Sequence, residues 1–444
     1  MQLNESDTGR DIERGSGRKT MAIRLAVLAV SAQFCGFAEP AVNLVSHRLI
    51  TGDIYETIYS IRTGNGIFDR IQLHRVVREQ RGEPIESEKA IMLLHGGVWG
   101  FHPAFMPDAS PAYSLPVYLA GKGTDVWGVD LAWTLIPQAT TDFSFMRSWG
   151  LQHDVDDMET ALDTASKIRQ GHDAMPVLGW SLGGWILYGL LNQESQRPCS
   201  RRRVKGAIPF DTALKYSDSA AVAFACKAAA DINSSLQAGE PALFFPDAGL
   251  GALAEDDPNG SSPFFGRLTN LQAALEVGAA TFVLFGPSYA PEYHFVAGTF
   301  PNNDVNQVPA GLQYTDVSRW IKFVRAASLY MPNLMLRDLY QISCQTGPSS
   351  PFDDHLPDIR VPILYVGAAG GFGNAGLHTL SLLGSRDIEK NIVALHGPNE
   401  AGLDFAHVDL VNARNAQDLV WSGIDRWLTA HGHDDICSAD ESKR

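Results

Sequence analysis

These 444 residues read as an α/β fold, with a mainly parallel central sheet flanked by helices and an inserted helical cap. Three observations lead there. Short β-rich runs alternate with helical patterns through the first half of the chain, as parallel strands with crossover helices require. That alternation stops at about Thr212 and resumes at about Val361. Between them in importance stand the ten residues Pro176 to Trp185, PVLGWSLGGW, which set a serine among glycines where an apolar strand passes into a helix.

The elements follow in order. Ile54 to Ile61 and Phe68 to Val77 read as strands joined by the turn Thr63-Gly64-Asn65-Gly66. Ala90 to Leu94 is a buried strand running into His95-Gly96-Gly97, and Thr124 to Val129 is the next, ending in Asp130. A helix from about Gln152 to Arg169 carries Val155, Met158, Leu162, Ala165 and Ile168 at helical spacing. Val177 and Leu178 begin the strand before the serine, a helix runs on to about Asn192, and Val204 to Phe210 is a further strand. Helical patterns then dominate: Ala220 to Ile232, Leu268 to Val277, and Val317 to Leu329 with Val317, Trp320, Ile321 and Val324 on one face. Strands return at Val361 to Val366 and Asn391 to Leu395, and a helix from about Asn415 to Ala430 closes the chain. The expected organisation is a sheet core over 39–211 and 359–432, a helical cap over 212–358, and a frayed tail over 433–444. An insertion that returns to finish its host sheet lies over the strand C-termini, where open α/β sheets bind ligands.

Bulk numbers narrow the function. Hydrophobic residues make up 45% and charged residues 19%, ordinary for a globular protein with a sizeable core. A formal net charge of −15 argues against nucleic acid and anionic membrane surfaces as partners. No stretch has the length of an integral membrane segment. Near the start, Arg10, Arg14, Arg18, Lys19 and Arg24 precede the short apolar run Leu25 to Ala32, with Gly36 and Ala38 at −3 and −1 of a cleavage position before Glu39. That pattern resembles a secretory signal peptide, so residues 1–38 are read as a signal or a disordered extension. The location expected is secreted or periplasmic, with the cytoplasm as the alternative. Of five cysteines, Cys35 would leave with the signal, and Cys199, Cys226, Cys344 and Cys437 fit no metal-binding spacing. Cys226 and Cys344 share the inserted region and are the first pair to consider; buried free thiols are the expectation.

The serine motif is G-x-S-x-G: Gly179, Trp180, Ser181, Leu182, Gly183. A serine at the apex of a sharp strand-to-helix turn needs small neighbours, and the following helix points its N-terminus at the hydroxyl. With His95-Gly96-Gly97 after an earlier strand and His407 after the last strand, in that order, the chain resembles the α/β-hydrolase fold, over about Ile54 to Asp211 and Val361 to Ala430. The cap has no such resemblance.

A serine hydroxyl needs a base to become a nucleophile. Among 13 histidines, the resemblance implies His407, in the loop Leu403 to Leu410; His396, directly after Leu395, is the competitor. The acid that orients the imidazole is usually found a few residues past the strand Val361 to Val366, but Gly367 to Gly373 there contains no carboxylate. Asp211 ends the strand next to the serine turn and keeps the order Ser, acid, His; Asp387, before the strand Asn391 to Leu395, is the rival. The oxyanion hole implied is the backbone N–H of Leu182 with that of Gly97, Val98 being the next choice. His95 reads as a brace for that loop. Trp99 and Trp180 are expected to line a pocket for an apolar acyl or aryl group.

The glycine run Gly367 to Gly373 lacks the register of a dinucleotide loop, and no H-E-x-x-H, paired CxxC or EF-hand pattern supports a metal, so no cofactor is expected. The activity implied is a serine-dependent carboxylic ester hydrolase acting through an acyl-enzyme on a small-molecule ester, lactone or lipid-like ester. A same-fold serine enzyme acting on a C–C or amide bond, an acyltransferase, and a catalytically dead binding protein are the alternatives. Substrate identity and oligomeric state are not encoded in any motif here.

Overall fold

In the computed structural model, residues 41–170, 174–286, 290–346, 349–432 and 437 are described. The basic and apolar signal-like segment, Cys35 and the tail apart from Cys437 lie outside the described residues.

One large sheet organises the chain. Its strands are β1 (Val42–Thr51), β2 (Ile54–Arg62), β3 (Arg70–Gln80), β4 (Ala90–Leu94), β5 (Asp125–Asp130), β6 (Met175–Trp180), β7 (Val204–Phe210), β8 (Ile363–Ala368) and β9 (Ile388–Val393). They lie side by side in the order β1-β2-β3-β5-β4-β6-β7-β8-β9, with a two-residue strand, Glu83–Pro84, paired to β3. The pairs β1/β2, β2/β3 and β3/β5 are antiparallel, and every pair from β5 through β9 is parallel. Parallel strands covered on both faces need continuous apolar runs, and β4 (AIMLL) and β6 (MPVLGW) are buried at every residue. Strand β1 went unread in the sequence because it is an edge strand with most side chains exposed, so burial left no alternation in it. Strand β9 starts three residues earlier than the apolar run Asn391 to Leu395 indicated, its first half being partly exposed.

Helix α1 (Leu151–Ile168) packs an amphipathic face on the sheet, and α2 (Leu182–Ser195) is buried on nearly every side, as its run LGGWILYGLL demands. Between β7 and β8 the chain forms α3 (Ser219–Gln237), α4 (Asp247–Asp256), α5 (Asn270–Ala279), α6 (Val317–Arg325) and α7 (Asn333–Cys344), and the last helix, α8 (Ser422–His431), follows β9. Asp218 caps α3 by accepting from the Ala220 and Ala221 N–H groups, and Thr269 with Gln272 forms a capping box on α5. Helix α6 buries Trp320, Ile321, Phe323 and Val324. Two short antiparallel pairs, Ala242–Phe244 with Tyr330–Pro332 and Gly298–Thr299 with Gly311–Leu312, tie the connections.

The cysteines correct the expectation of free thiols. Cys226 on α3 is bonded to Cys344 on α7, and Cys199 to Cys437, across 118 and 238 residues of sequence. Cys226 and Cys344 are the pair that their shared place in the inserted region put first, and the packing of α3 on α7 brings them together. No helix among the described residues is long and apolar enough to cross a membrane.

Candidate active site

Register brings three segments to one rim. Trp180 at the end of β6 pairs with Phe210 at the end of β7, and Phe210 pairs with Val366 of β8. The next residue after each of the first two strands, Ser181 and Asp211, therefore emerges side by side. The Ser181 N–H donates to the Phe210 carbonyl at 2.9 Å, and the Asp211 N–H to the Val366 carbonyl at 2.7 Å.

Ser181 has φ 56° and ψ −122°, a backbone that costs a non-glycine residue about 1–3 kcal/mol. Close packing holds it there. A Cβ on Gly179 would lie 2.5 Å from the Gly183 carbonyl, and one on Gly183 would lie 2.3 Å from the His95 carbonyl. The Thr212 hydroxyl donates to the Ser181 carbonyl at 2.8 Å, pinning the turn from outside. Leu182 opens α2, so its N–H has no carbonyl within the helix to bond.

The His95-Gly96-Gly97 loop ends β4. The buried His95 ring accepts the Leu131 N–H at Nε2 (3.2 Å), which leaves Nδ1–H to donate to the Gly96 carbonyl at 2.8 Å. Burial holds this ring below the usual histidine range, so the neutral tautomer braces the loop. Val98 has φ 57°, and its carbonyl accepts from the Ser328 N–H, while the Trp99 indole donates to the Phe323 carbonyl of α6 at 2.7 Å.

Asp211, itself at φ 44°, is fully buried. Its Oδ1 accepts from the Ala368, Phe372 and Gly373 N–H groups at 2.9, 3.1 and 3.1 Å. The glycine run that lacks a carboxylate therefore wraps the carboxylate of the neighbouring strand, and a Cβ on Gly371 would lie 2.1 Å from Asp211 Oδ2. That Oδ2 accepts from His407 Nδ1 at 2.6 Å.

His407 is 2% exposed, and its ring stacks on Trp180 at 4.9 Å and 23°. Tyr293 and Phe372 flank it at 5.3 and 5.8 Å. The two carboxylates nearest in sequence are engaged elsewhere. Asp404 accepts from the Leu395, His396 and Phe405 N–H groups. Asp409 accepts from the Ala297 and Ala406 N–H groups and the Thr315 hydroxyl, and burial pushes its carboxyl up to about 6. Asp387, the rival acid, lies before β9 beside His431 Nε2 at 3.2 Å, and His396 lies against the Tyr314 hydroxyl at 3.3 Å. Neither lines the cavity described next.

Ser181 and His407 open into one cavity of about 740 Å³ whose wall also includes Gly97, Trp99, Trp180 and Leu182. No hydrogen bond joins the Ser181 hydroxyl to His407 here; such bonds commonly tighten only with substrate in place. The far wall comes from the segment between β7 and β8: Phe224, Phe245, Phe265, Phe282, Tyr293, Phe295, Met331 and Tyr340. Sequence reading missed these residues: Phe224, Phe282 and Tyr340 lie on helices, where an aromatic faces a core or a cavity with equal ease, and the others lie in loops or a short strand that carry no period. Asp247 is the carboxylate on this wall, and burial raises it above the usual range.

No protein-family model matches the chain, and no curated protein matches it in sequence. Solved structures do resemble it. A candidate lipase from Sulfolobus solfataricus aligns over 88% of this chain and 99% of its own at 17% identity, with a TM-score of 0.59. A monoglyceride lipase from Saccharomyces cerevisiae aligns over 83% of this chain and 94% of its own at 12% identity and a TM-score of 0.43. A carboxyl esterase from Bacillus coagulans aligns over 86% of this chain and all of its own at 11% identity, also with a TM-score of 0.43. The strand order, the serine turn after β6 and the likeness to the Sulfolobus structure make this chain an α/β-hydrolase fold.

Proposed function

We propose that the protein is a serine hydrolase of apolar carboxylic esters working through an acyl-enzyme. Ser181 Oγ attacks the ester carbonyl while His407 Nε2 takes its proton, and Asp211 holds the ring through Nδ1–H and stabilises the imidazolium. The N–H groups of Gly97 and Leu182 receive the oxyanion. His407 returns the proton to the leaving alcohol, and water, deprotonated by the same ring, then releases the acid and restores Ser181. No cofactor enters these steps.

The observation that carries this reading is the 2.6 Å contact of a buried carboxylate with the inner nitrogen of a ring that shares an apolar cavity with Ser181. A lone histidine in a loop needs no buried anion behind it. Residues 212–358 act as the cap in this reading, which is supported by Phe224, Phe245 and Tyr293 of that span lining the cavity that Ser181 opens into. The aromatic wall, with Trp99 and Trp180, favours an apolar acyl or aryl group. Two disulfides support an oxidising compartment, secreted or periplasmic.

Labelling with a fluorophosphonate probe tests the assignment. The adduct is expected on Ser181 of the wild type and absent from Ser181→Ala. An unlabelled wild type, or equal labelling of the variant, overturns it.

A further inference from the structure

Two buried clusters of histidine and carboxylate lie away from the candidate active site, and they differ in kind. Around Glu56, the contacts are closed: His74 Nδ1 and His102 Nε2 sit 2.9 and 2.5 Å from Oε1, and Arg48 sits 2.6 Å from Oε2. That group is satisfied by its own members.

The second cluster, at the start of α1, is open. His153 Nδ1 stands 3.7 Å from Asp154 Oδ1 and 3.6 Å from Asp157 Oδ2, beyond hydrogen-bond reach. Asp154 and Asp157 are 1% and 2% exposed, yet Asp154 Oδ2, Asp157 Oδ2 and His153 Nδ1 are all buried with no hydrogen-bond partner. The His153 ring is their nearest counter-charge, but at these separations it gives neither carboxylate a hydrogen bond, and a buried polar group left without one is costly. Atoms bound about 2.0–2.2 Å from a shared four-coordinate cation stand roughly 3.3–3.6 Å apart, close to the two gaps that His153 Nδ1 makes, and one ligand atom from each of the three residues lies within 4.8 Å of the others.

We propose that His153, Asp154 and Asp157 bind one divalent transition-metal cation, with Zn²⁺ the best match to one imidazole and two carboxylates. Two further buried orphans complete the surroundings. Thr63 Oγ1 faces Asp157 and can supply a fourth oxygen, and the Trp133 indole N–H faces Asp154 and can orient it from outside. His153 keeps part of its side chain at the surface, which gives the ion an entry path, and its ring is stacked on Trp149 at 4.7 Å. The ion's role is structural: it ties α1 to the turn after β2 and to Trp133, which packs edge-on against His95 of the Gly97 loop. The sequence reading found no metal motif because His-Asp-x-x-Asp on a helix matches none of the familiar patterns.

The test uses the whole protein, stripped with EDTA and titrated with Zn²⁺ alone. One equivalent should survive gel filtration, and the melting temperature should rise by about 3 °C at saturation. The Asp154→Asn/Asp157→Asn variant should retain no zinc and show no rise, while melting no lower than the metal-free wild type, since it removes two buried carboxylates that no hydrogen bond satisfies. His153→Gln, a change at a partly exposed residue, should cut zinc affinity at least tenfold with the fold intact. Wild-type protein that retains no zinc, or variants that bind it like the wild type, overturn the proposal. Fluorophosphonate labelling of Ser181 reads the ester chemistry separately and has no bearing on the outcome.

Discussion

Asp211 Oδ2 and His407 Nδ1 meet at 2.6 Å although 196 residues separate them, and three backbone N–H groups of the glycine run fix the carboxylate from behind. An imidazole held this way has its second nitrogen free to face the cavity with a set tautomer. Asp211→Asn keeps the shape but can donate to Nδ1 and favour the wrong tautomer. It should lower kcat on a p-nitrophenyl ester by about 10⁴-fold with little change in KM. Asp387→Asn, at a carboxylate bonded to His431 away from the cavity, should stay within twofold of wild type. Comparable losses in both variants, or loss only in the second, would remove Asp211 from the mechanism.

The glycine run offers a subtler perturbation. A Cβ at position 371 would sit 2.1 Å from Asp211 Oδ2, so Gly371→Ala must displace the carboxylate or the loop. A misplacement of about 1 Å at a positioning group costs on the order of 10²-fold. We expect kcat to fall by about that factor while circular dichroism and fluorophosphonate labelling report a folded protein with Ser181 still reachable. Wild-type turnover in Gly371→Ala would show that the exact seat of Asp211 is immaterial.

The closed cluster on β2, β3 and β5 predicts how stability responds to pH. Burial alone would lower His74, but Asp130 and Glu56 on either side raise it to about 9. Burial likewise opposes ionisation of Asp130 and Glu56, yet the histidines win: Asp130 falls to about 2, and Glu56 is also lowered. A raised histidine contributes stability that is complete below its unfolded value near 6.5 and is lost as pH climbs towards 9. The depressed acids contribute above about 4 and lose it as pH falls. Melting temperature should therefore decline between pH 6.5 and 9, and His74→Gln should make that limb shallower while lowering the plateau, since His153 is raised to about 9 as well. A wild-type curve level across that window would contradict the charge state assigned to His74.

How much of this could be read from the chain depends on the range of the interaction. Ser181 was legible because its strained turn is dictated by neighbours within five residues, Gly179 to Gly184. Asp211 and His407 were legible only as strand-end residues in a given order, since their contact spans the sheet. The aromatic wall was not, because Phe224, Tyr293 and Tyr340 come from separate parts of the inserted segment and share no period. Strand β1 escaped notice for want of a buried face, and α7 because Pro332 directly before Asn333 reads as a break although it opens the helix. The bridge between Cys199 and Cys437 was not legible, because it joins positions 238 residues apart with no pattern in common, whereas Cys226 and Cys344 share the inserted segment.

The cavity wall sets an expectation for substrate preference. At about 740 Å³, lined chiefly by aromatic and aliphatic side chains, it has room for an acyl chain well beyond acetyl. Each methylene moved from water into such a wall contributes about 0.8 kcal/mol, or roughly a fourfold gain in kcat/KM. A series of p-nitrophenyl esters of increasing chain length should thus rise by about that factor per carbon and then level off once the cavity is full. Trp99 packs on Phe323 at 4.2 Å at the wall beside the Gly97 loop, so Trp99→Ala should enlarge the space and move the optimum to longer chains. A series that peaks at acetate and falls steadily would show that the apolar wall faces something other than the acyl group.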